Sequence, residues 1–271
     1  MTRLGLGTYA YAWAIGVPGY PVDAPMDVFA FLRRAAALNL RLVQIADNLP
    51  LDQLTPEAFN ALLAEAKQWG IAIEVGTRGI NHAHLRRYLT IAQACGSSIL
   101  RIVVDTAAHH PTPDEVISTL RAILPEFAAA GITLAIENHD RFSAKTLAHI
   151  VEALASPYVG ICLDTVNSFG ALEGPEVVID TLGPYVVNLH VKDFEIHRLD
   201  HNMGFALNGT PAGRGMLNVP QVLARLAQFN RTFNAILELW PAWEESTAAT
   251  ITKEAAWVQE SIPYLRTLIK D

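Results

Sequence analysis

The sequence predicts a (β/α)8 TIM barrel, one α/β domain over residues 1–271, and three observations carry that prediction. Eight short apolar runs are each followed by a stretch with helical spacing. From the second run to the seventh, the runs begin about 30 residues apart, the length of a strand, a helix and two loops. They are continuously apolar instead of alternating, so both faces of each strand are buried, as in a parallel sheet under helices. Eight such units in about 250 residues close naturally into a barrel.

In order, the strands read LGLGTY at 4–9, LRLVQIA at 40–46, IAIEVG at 71–76, SILRIVV at 98–104, ITLAIE at 132–137, YVGICLD at 158–164, YVVNLHV at 185–191 and FNAILELW at 233–240. Between them, Phe59, Leu62, Leu63 and Ala66 repeat at helical spacing, and Gly70 sits where a C-cap is needed. Thr112, Pro113, Asp114 and Glu115 form a capped, acidic first turn for a helix that ends near Gly131. A last helix around 249–269 is expected to pack back over the first strand. Residues 193–217 break the period and form a long loop after the seventh strand, on the side of a barrel where loops carry function. No Ser/Gly-rich linker or low-complexity tract divides the chain.

Composition narrows the function. Twenty Lys and Arg against 27 Asp and Glu leave a net charge of −7, with no basic surface for nucleic acid. Cys95 and Cys162 lie inside apolar runs without metal or redox spacing, which predicts free buried thiols in a reducing compartment. No apolar run reaches the roughly 18 residues of a membrane span, and the first residues lack a secretory pattern. The expectation is a soluble, cytoplasmic protein with no membrane partner and a small-molecule substrate. Homo-oligomerisation is left open.

Chemistry enters at the strand ends. Glu137 in LAIENH, Asp164 in ICLDT, His190 in NLHVKD and Glu238 in ILELW each interrupt an apolar strand where it faces the mouth. Three buried carboxylates converging without a cation repel one another. A divalent ion removes the conflict, and oxygen-rich ligation with one imidazole suits Mn, Mg or Co.

IEN, LDT, HVKD followed by GxG, and LEL, in this order, resemble the xylose-isomerase-like TIM-barrel superfamily over essentially the whole chain. That group includes sugar phosphate isomerases and epimerases, ketose 3-epimerases, hydroxypyruvate isomerase and endonuclease IV. The resemblance implies that Glu137, Asp164, His190 and Glu238 ligate the metal, and that Glu137 and Glu238 also move protons on opposite faces of a metal-bound enediolate. Two positions depart from the epimerase pattern: Asn167 stands where a substrate-contacting histidine is expected, and Ile196 where an arginine is. The histidine missing at 167 also argues against endonuclease chemistry.

Candidate substrate residues are Arg78 just past a strand end, His139 and Lys192 two residues beyond metal-ligand candidates, Asn167, and Arg214 between Gly213 and Gly215. Arg78 can hold a carboxylate bidentately. Lys192 can donate to a developing oxyanion or pair with Asp193, and the amides of the Gly213–Gly215 turn can hold an anion. Arg101 sits early in its strand and is expected to brace the lower barrel or pair with an acid, the alternative being a substrate role, whereas Gln44 and Glu74 either face inward as polar layers or are taken up in bonding each other. Tyr9, Trp13, Phe205, Trp240 and Trp243 are candidate walls of the mouth.

The leading expectation is a sugar isomerase or epimerase acting on a small keto-sugar or sugar acid. The alternative is decarboxylation of a 3-oxo sugar acid, because VQIADNLPL and IEVGTRGI resemble the 3-oxo-isoapionate decarboxylase branch of the superfamily. A non-catalytic metabolite-binding barrel predicts an incomplete quartet, and the quartet is complete.

Overall fold

The computed structural model describes residues 2–270. The chain runs β1 (Leu4–Gly7), α1 (Ala12–Ile15), α2 (Val28–Ala37), β2 (Leu42–Ile45), α3 (Pro56–Trp69), β3 (Ala72–Arg78), α4 (His82–Cys95), β4 (Ile99–Val103) and α5 (Pro113–Ala130). It continues through β5 (Thr133–Glu137), α6 (Ala144–Leu154), β6 (Val159–Asp164), α7 (Pro175–Leu182), β7 (Val186–Val191), β8 (Asp193–Arg198), β9 (Phe205–Thr210), α8 (Val219–Ala227), β10 (Asn234–Leu237) and α9 (Thr247–Leu268). Eight parallel strands close in the order β1-β10-β7-β6-β5-β4-β3-β2. Each starts within two residues of its apolar run.

The expected caps are present. Gly70 ends α3 at φ 62°, a left-handed conformation that glycine adopts without a Cβ clash. Thr112 accepts from Glu115 N at 3.2 Å, and Asn218 accepts from Gln221 N at 3.1 Å. Apolar side chains between the strands and the helix ring form the outer core, while the barrel interior carries polar groups. Arg101 of β4 is level with Gly76 of β3 and Ala135 of β5, small neighbours that leave room for a guanidinium only 2% exposed.

Residues 193–217 are more ordered than a loop. β8 and β9 pair as an antiparallel hairpin from Asp193↔Thr210 to Arg198↔Phe205. Its base is tied to the Asp193 carboxylate, which accepts the N–H groups of Phe194, Gly213, Gly215 and Leu217 at 2.8–3.0 Å. The Gly213–Gly215 amides therefore hold an anion supplied by the chain itself. A Cβ at position 215 would collide with Asp193 Oδ1 and Phe194 O, so the turn needs glycine there.

At the other side of the mouth, Glu254 of α9 is buried and accepts Trp13 N and Ala14 N at 2.9 and 3.0 Å, pinning α1. Burial pushes this carboxyl up to about 8, against those two bonds. Trp13, Tyr20 and Trp243 stack beside it with centroids 4.5–5.5 Å apart. Cys95 and Cys162 are free thiols, Cys162 buried and Cys95 partly so. Among the described residues, no helix is long and apolar enough to cross a membrane.

Candidate active site

β5, β6, β7 and β10 deliver Glu137, Asp164, His190 and Glu238 to one point, and all four are buried. His190 Nδ1 lies 3.4 Å from Glu137 Oε2, 3.7 Å from Asp164 Oδ2 and 3.4 Å from Glu238 Oε2. His190 Nδ1, Asp164 Oδ2 and both Glu238 oxygens have no hydrogen-bond partner. Buried polar atoms are rarely left so, and four at one point form a donor set for a cation. Three carboxylates and one imidazole fit a hard divalent ion.

Local structure aims these groups. Asp164 Oδ1 accepts from Val166 N and Asn167 N, both at 2.9 Å, which turns Oδ2 inward. Asn138 brackets the Asp164 backbone, accepting its N–H at 2.7 Å and donating to its carbonyl at 2.8 Å. Thr165 Oγ1 likewise bonds Lys192 N and O at 2.9 and 2.7 Å. His190 Nε2 meets Gln44 Oε1 at 2.7 Å. A Cβ on Gly7 would lie 2.9 Å from Glu238 Cγ, so β1 needs glycine where it passes this side chain.

The electrostatics favour positive charge. Lys192 Nζ stands 2.8 Å from Asp164 Oδ2 and 2.9 Å from Glu238 Oε2, an ion pair with each. Burial works against the ammonium, but Asp164, Glu238 and Glu137 outweigh it and raise its pKa. His190 behaves alike: burial lowers its pKa, and Cys162, Glu238 and Glu137 lift it well above the ordinary value. Burial would raise the carboxyls of Asp164 and Glu238. The Lys192 and His190 charges reverse this, and both carboxyls titrate low.

The two glutamates differ in their partners. Glu137 is engaged at both oxygens, Oε2 by Arg101 Nε and Oε1 by Asn167 Nδ2 at 2.8 Å, whereas Glu238 makes no hydrogen bond and has the His190 and Lys192 charges beside it. Arg101 also reaches Asp47 Oδ1 at 2.9 Å, and Asp47 Oδ2 accepts from Tyr9 Oη at 3.0 Å and Arg78 Nε at 3.1 Å. Burial would raise Asp47, yet the Arg101 and Arg78 charges hold it at about 2. The Tyr9 ring lies 5.9 Å from Arg101 Cζ and 6.0 Å from Lys192 Nζ, and so faces both cations. An open cavity of about 250 Å3 adjoins the cluster, lined by Lys192, Asn167, Phe169, Leu207 and Trp240.

Of the residues singled out from sequence, Asn167 and Lys192 meet the quartet directly, and Arg78 reaches it through Asp47 and Arg101. Lys192 contacts Asp164 and Glu238 instead of Asp193, whose oxygens are taken by backbone amides. His139 is not brought to the cluster: its ring faces Asp140 at 3.2 Å. Arg214 is exposed and pairs with Glu260 on α9. Gln44 and Glu74 face inward and bond each other at 3.1 Å. Sequence reasoning did not single out Asn138 and Thr165, although each directly follows a proposed ligand in IEN and LDT.

The family described as xylose isomerase-like TIM barrel matches residues 32–268. A 3-oxo-isoapionate decarboxylase of Pectobacterium atrosepticum is 36% identical over 264 residues, covering 97% of this chain and 95% of that protein. Among solved structures, D-psicose 3-epimerase from Clostridium cellulolyticum H10 with D-tagatose superposes with a TM-score of 0.75 at 16% identity, covering 100% of both chains. A xylose isomerase-like TIM barrel protein from Mycobacterium smegmatis in complex with magnesium gives 0.67 at 15% identity over 97% of each. The two structures share the fold with this chain.

Proposed function

This chain belongs to the xylose isomerase-like TIM barrel family, and from that premise we propose that it is a divalent-metal-dependent decarboxylase of a 3-oxo sugar acid. The whole-length similarity to a 3-oxo-isoapionate decarboxylase supports this reading over the isomerase that the motifs first suggest. The observation that carries it is the inequality of the two glutamates. Epimerisation through an enediolate needs a base on one face and an acid on the other. Glu137 is hydrogen-bonded at both oxygens, to Arg101 and Asn167, which leaves one carboxylate free of hydrogen bonds, Glu238 beside the Lys192 ammonium, instead of two. Loss of CO2 needs only one proton delivered afterwards.

Glu137, Asp164, His190 and Glu238 would hold the divalent ion, whose chemistry there is Lewis-acid stabilisation of negative charge on oxygen. The chain's own residues do the rest. Arg78, oriented by Asp47, binds the substrate carboxylate. As the bond to that carboxylate breaks, its electron pair moves toward the 3-oxo oxygen and CO2 departs. Lys192 donates a hydrogen bond to that oxygen and returns a proton to the carbon, then regains one from solvent. Phe169, Leu207 and Trp240 wall the adjoining cavity and limit water.

The direct test incubates the protein with 3-oxo sugar acids and with ketoses under Mn, Mg and Co. CO2 release from the acids, without solvent deuterium entering the ketoses, is the expected result. Deuterium exchange into ketoses without CO2 release would restore the isomerase reading. Arg78→Ala should lower kcat/KM on the acid by about 2 kcal/mol, roughly 30-fold, the worth of a charge-assisted bond at a partly exposed site. A loss below threefold removes Arg78 from the site.

Metal titration separates ligands from bystanders. Asp164→Ala should weaken Mn binding by more than the roughly 10–100-fold typical of outer-shell changes, because a ligand oxygen disappears. Glu238→Gln keeps an amide oxygen and should weaken it less. Calorimetric titration of both variants decides, and equal affinity to wild type in both would remove the pair from the ligand set.

A further inference from the structure

Beneath the quartet, the barrel interior holds a second polar layer that the proposed chemistry does not use. Glu74, Gln44 and Asn188 are buried there, with Asn234 at the edge. Gln44 Nε2 donates to Glu74 Oε2 at 3.1 Å, Asn188 Nδ2 to the same oxygen at 3.0 Å, and Asn234 Nδ2 to Oε1 at 2.7 Å. We propose that Glu74 is a positioning residue that sets the direction of this amide layer and thereby keeps the His190 Nδ1 lone pair aimed at the ligand cluster. The inference rests on His190 being a metal ligand.

Burial pushes the Glu74 carboxyl up while the three amide donors pull it down; both of its oxygens accept, so each of the three amides turns its NH2 group toward it. Gln44 Nε2 is further fixed by Asn188 Oδ1 at 3.0 Å. The carbonyl end of Gln44 then has one direction left, toward His190 Nε2 at 2.7 Å. An acceptor at that distance requires an N–H on Nε2. As a metal ligand His190 is neutral imidazole, not the imidazolium that the surrounding carboxylates favour without an ion, and it carries a single N–H, so Nδ1 is left as the lone pair facing Glu137, Asp164 and Glu238. Glu74 acts two residues removed from the metal site, through the orientation of Gln44.

Glu74→Gln preserves size but puts a donor where the layer had its acceptor, so Gln44 can turn over and present NH2 to His190. Mn affinity, read by calorimetry, should fall about 10–100-fold, the usual cost of disturbing the group behind a ligating histidine. The exchange variant Glu74→Gln/Gln44→Glu restores an acceptor at His190 Nε2, with the amide now at position 74 donating to the carboxylate now at position 44, and should return to within about threefold of wild type. A purely structural role for Glu74 does not predict that rescue. Should Glu74→Gln not fold, Gln44→Met removes the same acceptor and must show the same loss. Wild-type affinity in Glu74→Gln or Gln44→Met, or an exchange variant as weak as Glu74→Gln, overturns the inference. A wild-type protein that binds no Mn overturns the ligand assignment, and this inference with it.

Discussion

Lys192→Met is the substitution expected to cost the most activity: kcat for CO2 release should fall by about four orders of magnitude or more. Two effects add. A donor aimed at a developing oxyanion is worth roughly 100–1,000-fold, and delivery of the returning proton about 100-fold or more. Methionine fills a similar volume without the charge, so the change reads chemistry more than packing. Binding should move the other way. Lys192 Nζ lies 2.8–2.9 Å from oxygens of two proposed ligands, and its removal relieves like-charge repulsion against a bound cation. Calorimetry with Mn and a CO2 assay on one preparation read both halves. A variant retaining kcat within tenfold sinks the assignment of Lys192 as donor.

Arg101→Met should have the largest effect on stability. Arg101 is buried between Asp47 and Glu137 and is the partner of both. Removing one member of a buried ion pair costs about 3–5 kcal/mol, because the remaining charge is left without compensation. For a chain of this size that corresponds to a Tm lower by about 10 °C. Urea unfolding in EDTA checks the loss without contribution from metal, and a change under 1 kcal/mol would mean the trio is not held by its charges. The pH dependence follows from Asp47, whose pKa is lowered from 3.8 to about 2 in the folded chain. A depressed carboxylate pKa adds stability that is fully present above the unfolded value. Wild type should therefore lose about 2 kcal/mol as pH falls from about 4 to 2, and the variant much less.

The barrel was legible because burial on both faces writes a parallel strand as an unbroken apolar run, and all eight runs became strands. The quartet stood out for the same reason: a carboxylate or imidazole inside such a run is costly unless another group meets it. Arg101 pairs with an acid as expected, in fact with two, Asp47 and Glu137; that one of them belongs to the quartet was not legible, since strands in a barrel tilt and position along a strand is not height along the axis. Beside Gly76 and Ala135, the central residue of β4 sends its side chain to Glu137 at the end of β5. The Glu74 layer joins β2, β3, β7 and β10, and its bonds exist only after the barrel closes. The β8–β9 hairpin carries half-exposed strands that mix apolar and polar residues and lack the continuous apolar signature used to find the others. Arg214 was read as facing the substrate from its place between two glycines, yet those glycines wrap the Asp193 carboxylate and turn the side chain outward.

That wrapping has a bearing on how this scaffold can diversify. With Asp193 cinching the base of the 193–217 excursion, the tip between Arg198 and Phe205 is the part outside both the paired strands and the Asp193 clasp. The entropy of lengthening it falls on the tip alone, and each doubling costs only about 0.6 kcal/mol. Insertions, deletions and new side chains there leave the barrel register untouched. They are also propagated down a rigid two-stranded lever to Leu207, which lines the cavity beside Lys192. Changes in substrate shape can thus be accommodated at a remote, permissive segment while the quartet stays as it is, and a library confined to residues 199–204 is the economical place to look for altered specificity.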